Sequence, residues 1–140
     1  MQLQKSTDYA IRVLLYLSNY RTSVHNMPTA KMISKEVGLS HPFFIKIASQ
    51  LKRHGLIDTV QGPYGGYLLA KPAHEISLYD VVLAMEGELF VLHCLEEGAI
   101  CSRKGVRCTV QDYFGNVQKT LIDALVSKNI ADLDAVQYSH

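Results

Sequence analysis

Between residues 40 and 70 the hydrophobic pattern changes period once, and the change falls at a glycine. Before Gly55, Phe44, Ile47, Ala48 and Leu51 recur at three- and four-residue steps, which puts them on one face of a helix over residues 41–54. Lys46, Ser49, Gln50 and Arg53 fall on the other faces. Gly55 is a C-terminal stop, after which 56–60 and 67–70 have strand character on either side of the turn Gly62-Pro63-Tyr64-Gly65-Gly66. Upstream, Thr29 is the expected cap of a short helix ending at Gly38, with Ile33 and Val37 inward. Leu39 and Ser40 make a tight link in which Ser40 caps the next helix and Pro42 sits in its first turn. Two short helices joined through a Gly-containing turn and followed at once by a hairpin predict a winged helix. In such a unit the second helix enters the major groove of DNA, and the hairpin reaches toward phosphates or the adjacent minor groove.

The flanking segments extend this unit. Thr7 is the expected cap of a first helix running to about Tyr20, with Ala10, Val13, Leu14 and Leu17 as its inward stripe and Ile11 and Leu15 widening it. Residues 21–28 are a polar connection. After a break at Lys71, Pro72 and Ala73, Ser77 caps a short helix through Met85, with Asp80 near the favourable end of its dipole and Gly87 closing it. Farther on, Val110, Tyr113, Phe114, Val117, Leu121, Ala124 and Leu125 trace a stripe on a helix of about five turns. Such a stripe, lying beyond the domain's own core, invites a partner helix, and a two-fold homodimer presents two recognition helices to a palindromic site. The alternative is that it packs on the first helix of its own chain. The expected architecture is mostly α with a small β-hairpin wing. It comprises a winged helix-turn-helix DNA-binding domain over 1–87, a cysteine-containing sensor loop over 88–109, and a long dimerisation helix with a tail over 110–140.

A chain of 140 residues, 48% hydrophobic, has room for one domain with a proper core. No apolar run approaches the roughly 20 residues that cross a bilayer, and the first six residues lack a signal-peptide pattern, so a cytoplasmic protein with reduced thiols is expected. The net charge of +1 conceals +4 over residues 31–71 and −3 elsewhere. That polarity favours a polyanion partner for the helix-turn-helix region. The candidate base contacts are Ser40, His41, Phe43 and Lys46 at the start of the recognition helix. Lys52 and Arg53 are candidates for phosphates, and Gln61 and Tyr64 at the wing for backbone or minor groove. Gly62, Gly65 and Gly66 are expected to serve the turn itself, since no strand-then-helix context follows them for a nucleotide-binding loop.

All three cysteines, Cys94, Cys101 and Cys108, fall in one 15-residue stretch with six residues in each gap. The stretch has little hydrophobic bulk and carries Arg103, Lys104 and Arg107, cations that favour the thiolate form which binds metal or meets oxidants. An odd number of cysteines with none elsewhere argues against a disulfide scaffold. Three thiolates supply three of the four terminal ligands that an iron-sulfur cluster needs, and equally three of the four of a tetrahedral zinc site. His93, beside Cys94, is a further nearby donor. The spacing does not choose between these metals.

The segments Leu51-Lys-Arg-His-Gly-Leu-Ile57, Gly62-Pro-Tyr-Gly-Gly-Tyr-Leu-Leu-Ala70 and Ile76 to Gly87 (ISLYDVVLAMEG) resemble the Rrf-two family of bacterial winged-helix regulators, the IscR and NsrR type. The resemblance extends over essentially the whole chain. It implies a homodimeric transcription factor on palindromic promoter DNA, acting as a repressor. It also implies an iron-sulfur cluster, 2Fe-2S or 4Fe-4S, held on Cys94, Cys101 and Cys108. The opening Met1-Gln-Leu-Gln-Lys-Ser-Thr-Asp-Tyr9 is most similar to the nitric-oxide-responsive NsrR branch, where the position of Asp8 is a fourth ligand donated from the other subunit. Three departures stand out. The cysteine gaps are six and six rather than shorter or unequal, Gln61 occupies a wing position that is often Arg, and Ile45 stands where IscR-like members use Glu. Competing readings are a zinc- or thiol-based regulator without a cluster, and an iron-sulfur carrier or electron-transfer protein, for which the winged helix has no use. An enzyme is not expected, because no Cys-His-acid arrangement is present.

Overall fold

The computed structural model describes residues 2–92, 95 and 108–138. In chain order these form α1 (Lys5–Asn19), α2 (Ala30–Val37), α3 (His41–Arg53), β1 (Ile57–Val60), β2 (Gly66–Leu69), a 3-10 turn (Ala73–Glu75), α4 (Leu78–Glu86), α5 (Thr109–Val126) and α6 (Ile130–Tyr138). The two strands pair antiparallel, with Ile57 opposite Leu69 and Val60 opposite Gly66. Mostly helical, with a single hairpin directly after α3, the described chain is a winged helix-turn-helix.

Its core follows the sequence stripes. Ala10, Val13, Leu14 and Leu17 of α1 are buried, as are Ile33 of α2 and Phe44, Ile47, Ala48 and Leu51 of α3. Val81, Ala84 and Met85 of α4 close the same cluster from the other side. Burying a large aliphatic or aromatic side chain stabilises by about 1.5–3 kcal/mol, so this shared cluster fixes α3 far more firmly than local helix propensity does.

Two expectations are corrected. α1 begins at Lys5 with Gln4 at its N-cap, so Thr7 lies inside the helix and does not cap it. Thr7 is buried, and its hydroxyl donates to the Glu86 carboxylate at the end of α4. The Gln4 N–H donates to the same oxygen at 2.9 Å. A charged acceptor reached across the fold outcompetes a local cap, because hydrogen bonds to ionised groups are roughly twice as strong as neutral ones.

The second correction concerns the C-terminal segment, which is not a simple tail. Asn129 and Asp132 cap α6 reciprocally, the Asn129 N–H reaching Asp132 at 3.0 Å and the Asp132 N–H reaching Asn129 at 2.8 Å. Ile130 is fully buried in the winged-helix core. Its N–H donates to the Ile76 carbonyl at 2.9 Å, and the Leu78 N–H donates to the Lys128 carbonyl at 2.9 Å, so the entries of α4 and α6 are laced together. α6 is the helix that packs back on α1, while α5 touches α4. No helix among the described residues is long and apolar enough to cross a membrane.

Candidate nucleic-acid interface and thiol site

The recognition helix is set by three local devices. Thr29 accepts the Met32 N–H at 3.3 Å and starts α2. Gly38 ends it in the left-handed region (φ 82°), and the N–H groups of Gly38 and Leu39 both donate to the Ser34 carbonyl, at 2.9 and 2.8 Å. Ser40 then accepts the Phe43 N–H at 3.3 Å, with Pro42 in the first turn of α3. The turn between α2 and α3 is therefore fixed by backbone and cap bonds together with Val37 and Leu39 packed on the core, with Ser40, His41 and Lys46 left exposed.

The wing is tight because of two glycines. A Cβ on Gly65 would lie 2.0 Å from the Val60 carbonyl oxygen, so the turn closes only without a side chain there. A Cβ on Gly66 would lie 2.4 Å from the Pro28 carbonyl oxygen, which instead accepts the Tyr67 N–H at 2.9 Å. The hairpin is thus clamped to the chain entering α2. Phe44 and Tyr67 meet edge to face with centroids 5.2 Å apart, joining the wing to the buried side of α3.

The candidate contacts divide by surroundings. Ser40, His41 and Lys46 are exposed at the start of α3, and Arg53 is exposed at its end. Among the described residues neither Lys46 nor Arg53 belongs to an ion pair. Phe43 is half-buried, its ring edge-on to Tyr9 at 5.9 Å, so only part of it faces solvent. The Lys52 ammonium donates to the Thr59 hydroxyl at 2.8 Å, tying the last turn of α3 to β1. At the wing, Gln61 is exposed and Tyr64 is 61% exposed, its ring edge-on to His25 at 4.9 Å.

Two further residues on this exposed face of α3, the Ile45 already noted and Ser49, are not among the candidate contacts. Ile45, 41% exposed, and Ser49, also exposed, continue the line of His41 at four-residue steps along α3. An apolar side chain facing solvent on a recognition helix suits a thymine methyl. A helical projection of residues 41–53 finds both.

Of the proposed thiol site, Cys94 and Cys101, with His93, lie outside the described residues. Cys108 is the N-cap of α5, and its sulfur accepts the Gln111 N–H at 3.5 Å. A half-buried thiol at a helix start is a donor of the type that holds zinc or an iron-sulfur cluster, so Cys108 fits such a group chemically. Asp8 is exposed in the first turn of α1, where Arg12 donates to it at 3.1 Å. Its carboxylate is exposed to solvent and paired with Arg12. Among the described residues no three His, Cys, Asp or Glu side chains converge on a metal-sized site.

A cationic recognition helix beside a glycine-tightened wing defines the class as a DNA-binding winged-helix regulator. Residues 3–135 match the Rrf2 family model, described as iron-dependent transcriptional regulator, and the chain belongs to that family. It is 35% identical over 134 residues to protein aau3 of Rhizobium meliloti, covering 90% of this chain and 85% of that one. It is 33% identical over 113 residues to the HTH-type transcriptional regulator NsrR of Shouchella clausii, covering 76% and 74%. The fold matches CymR, the global cysteine regulator of B. subtilis, with a TM-score of 0.76 at 18% identity over 97% of this chain and 98% of that one. It matches IscR of T. potens with a TM-score of 0.77 at 22% identity over 99% and 90%.

Proposed function

We propose that this protein is a homodimeric repressor of palindromic promoter DNA whose affinity is set by the state of Cys94, Cys101 and Cys108. The observation that carries the DNA-binding part is the solvent-facing line of α3, with Ser40, His41, Lys46 and Arg53 beside the wing residues Gln61 and Tyr64. Base-edge contacts fall to Ser40, His41, the exposed part of Phe43, and Lys46. Arg53 and Lys52 hold phosphates, and Gln61 and Tyr64 follow the backbone or minor groove. Phosphate contacts fix register and make affinity salt-dependent, while the few base contacts choose the sequence.

The regulatory part rests on the thiol spacing and on where Cys108 sits. An iron-sulfur cluster held by the three thiolates, with Asp8 of the second subunit as fourth ligand, would supply a redox- and nitric-oxide-sensitive centre. Within the chain, Cys108 fixes the start of α5, α5 touches α4, and α4 packs on α3. A change in the order of the cysteine segment thereby reaches the recognition helix through contiguous packing. The exposed stripe of α5 is the dimer face in this reading.

The test compares operator binding by anaerobically purified protein, metal-free protein and Cys101→Ala. A coupling of about 1–3 kcal/mol separates the first from the other two by roughly 5- to 150-fold. Equal affinity in all three removes the sensing part and leaves DNA binding standing. Zinc without iron or sulfide in the purified protein converts the reading to a zinc- or thiol-based regulator.

A further inference from the structure

The wing, residues 57–70, contains no lysine or arginine and carries one acid, Asp58. Lys52, the nearest cation of α3 bonded to it, is held at Thr59, in β1 rather than at the tip. A hairpin meant to lie along a polyanion is therefore short of positive charge at its tip. The connection between α1 and α2 supplies that charge from outside the hairpin.

Residues 20–28 are built as a finger rather than a slack link. Ser23 and Asn26 exchange backbone bonds in both directions, at 3.0 and 3.1 Å. The Tyr20 hydroxyl donates to the Asn26 side-chain oxygen at 2.8 Å, and the Asn26 amide reaches the Arg21 carbonyl at 3.5 Å. Residues 21–26 are all exposed, Val24 by 77%. This turn buries nothing, yet its backbone is bonded to itself. It holds Arg21 and His25 and no acid.

The finger is also fixed to the wing. His25 meets Tyr64 edge to face with centroids 4.9 Å apart, and the Tyr67 N–H to Pro28 bond joins the two segments at their bases. Gly66 permits that approach, since any side chain there would strike the Pro28 carbonyl. Wing and finger therefore present one surface, joined where His25 meets Tyr64, with Arg21 carried on the same bonded finger.

We infer that the finger at residues 21–26 is a second DNA-contacting element, in which Arg21 and His25 hold backbone phosphates of the duplex flanking the site read by α3. The inference rests on the DNA-binding reading above and adds a contact that lies on neither the recognition helix nor the wing. The occupant is duplex DNA because the finger is fixed to the hairpin that follows the recognition helix, and because the Arg21 guanidinium and the His25 ring N–H are donors that suit phosphate oxygens. It contributes affinity and salt dependence rather than sequence choice.

The test uses the full-length protein and an operator duplex selected by it from a random pool, with binding followed by fluorescence anisotropy over a salt series. Arg21→Ala with His25→Ala is expected to weaken binding about 10-fold or more at moderate salt. It should also lower the slope of log affinity against log salt by about 0.9 for each phosphate that the variant no longer neutralises. Base preference stays unchanged, whereas Lys46→Ala, the control on the recognition helix, alters it. Trimming the duplex ends until they no longer pass the wing should cost the wild type the same factor and leave the double variant indifferent. Circular dichroism confirms that the variants remain folded, as expected for exposed positions. A double variant with the wild-type slope and no advantage from the longer duplex overturns the finger contact while the regulator reading stands. Failure of the wild type to select or bind any duplex overturns both.

Discussion

α3 and α5 are both amphipathic helices, of 13 and 18 residues, and they differ in how far their apolar faces are covered. α3 buries Phe44, Ile47, Ala48 and Leu51 and leaves a polar, cationic line outside. α5 buries none of its residues, and Val110, Tyr113 and Val117 are 55, 65 and 37% exposed. A helix whose apolar stripe is satisfied within the chain is free to use its polar side for recognition. A helix whose apolar stripe stays partly in water is unfinished as a single copy, which is why α5 carries the proposed dimer face.

The largest expected effect breaks that comparison if it fails. Phe44→Ala should cost about 3–5 kcal/mol in urea denaturation, because the ring is fully buried in the shared core and packs edge-on against Tyr67 of the wing. Val117→Asp on α5 should change the stability of the dilute protein by no more than about 0.5 kcal/mol, as exposed substitutions generally do. The same change should abolish self-association in sedimentation velocity at high concentration. If Val117→Asp unfolds the dilute chain as Phe44→Ala does, α5 is a core element and the contrast is wrong.

The contrast also explains what is legible in the sequence. The stripes of α1 and α3, the caps at Thr29, Ser40 and Ser77, and the glycine-dependent hairpin are local features, and each can be read because its partner lies a few residues away. Ser77 and Asp80 even form the full reciprocal cap, each accepting the other's N–H at 3.0 Å. Thr7 reads wrongly as a cap because its true partner, Glu86, is 79 residues distant. α6 escapes notice although Asn129-Ile130-Ala131-Asp132 has the capping-box form, since the long stripe before it makes the remainder look like a tail. Of the site, the residues of α3 are legible from helical periodicity. The finger is not, because its tie to the wing depends on His25 reaching Tyr64 across the fold.

A middle-sized effect sharpens the comparison at the two helix starts. Ser40→Ala should cost about 0.5–2 kcal/mol, since the hydroxyl satisfies a backbone N–H of α3 that has no other partner within the helix. Cys108→Ala removes the equivalent cap of α5, but sulfur is a weak acceptor and the bond is 3.5 Å long. Its stability cost in the metal-free protein should therefore be smaller, a few tenths of a kcal/mol. A larger loss for Cys108→Ala than for Ser40→Ala in metal-free protein would mean that the thiol has a structural duty beyond ligation.

The smallest effect tests how closed the winged half is at its own edge. Tyr16 of α1 lines a groove with Asp8, Arg12, Asn19, Glu36 and Val37. Burial first, then Tyr20 and Glu36 nearby, raise its phenol above the ordinary value of 10.0. The folded state thus keeps this proton more tightly than the unfolded chain, and above about pH 10 the unfolded chain binds fewer protons than the folded one. Stability from Tyr16 is accordingly fully present below that pH and declines as the pH rises toward the folded value. Tyr16→Phe cannot ionise, so its denaturation midpoint should fall less steeply than the wild type's on the alkaline side, with no difference in slope near neutrality. Parallel alkaline profiles would mean that the groove between α1 and α2 is as wet as the exposed face of α5, and that the winged half is less self-contained than its core implies.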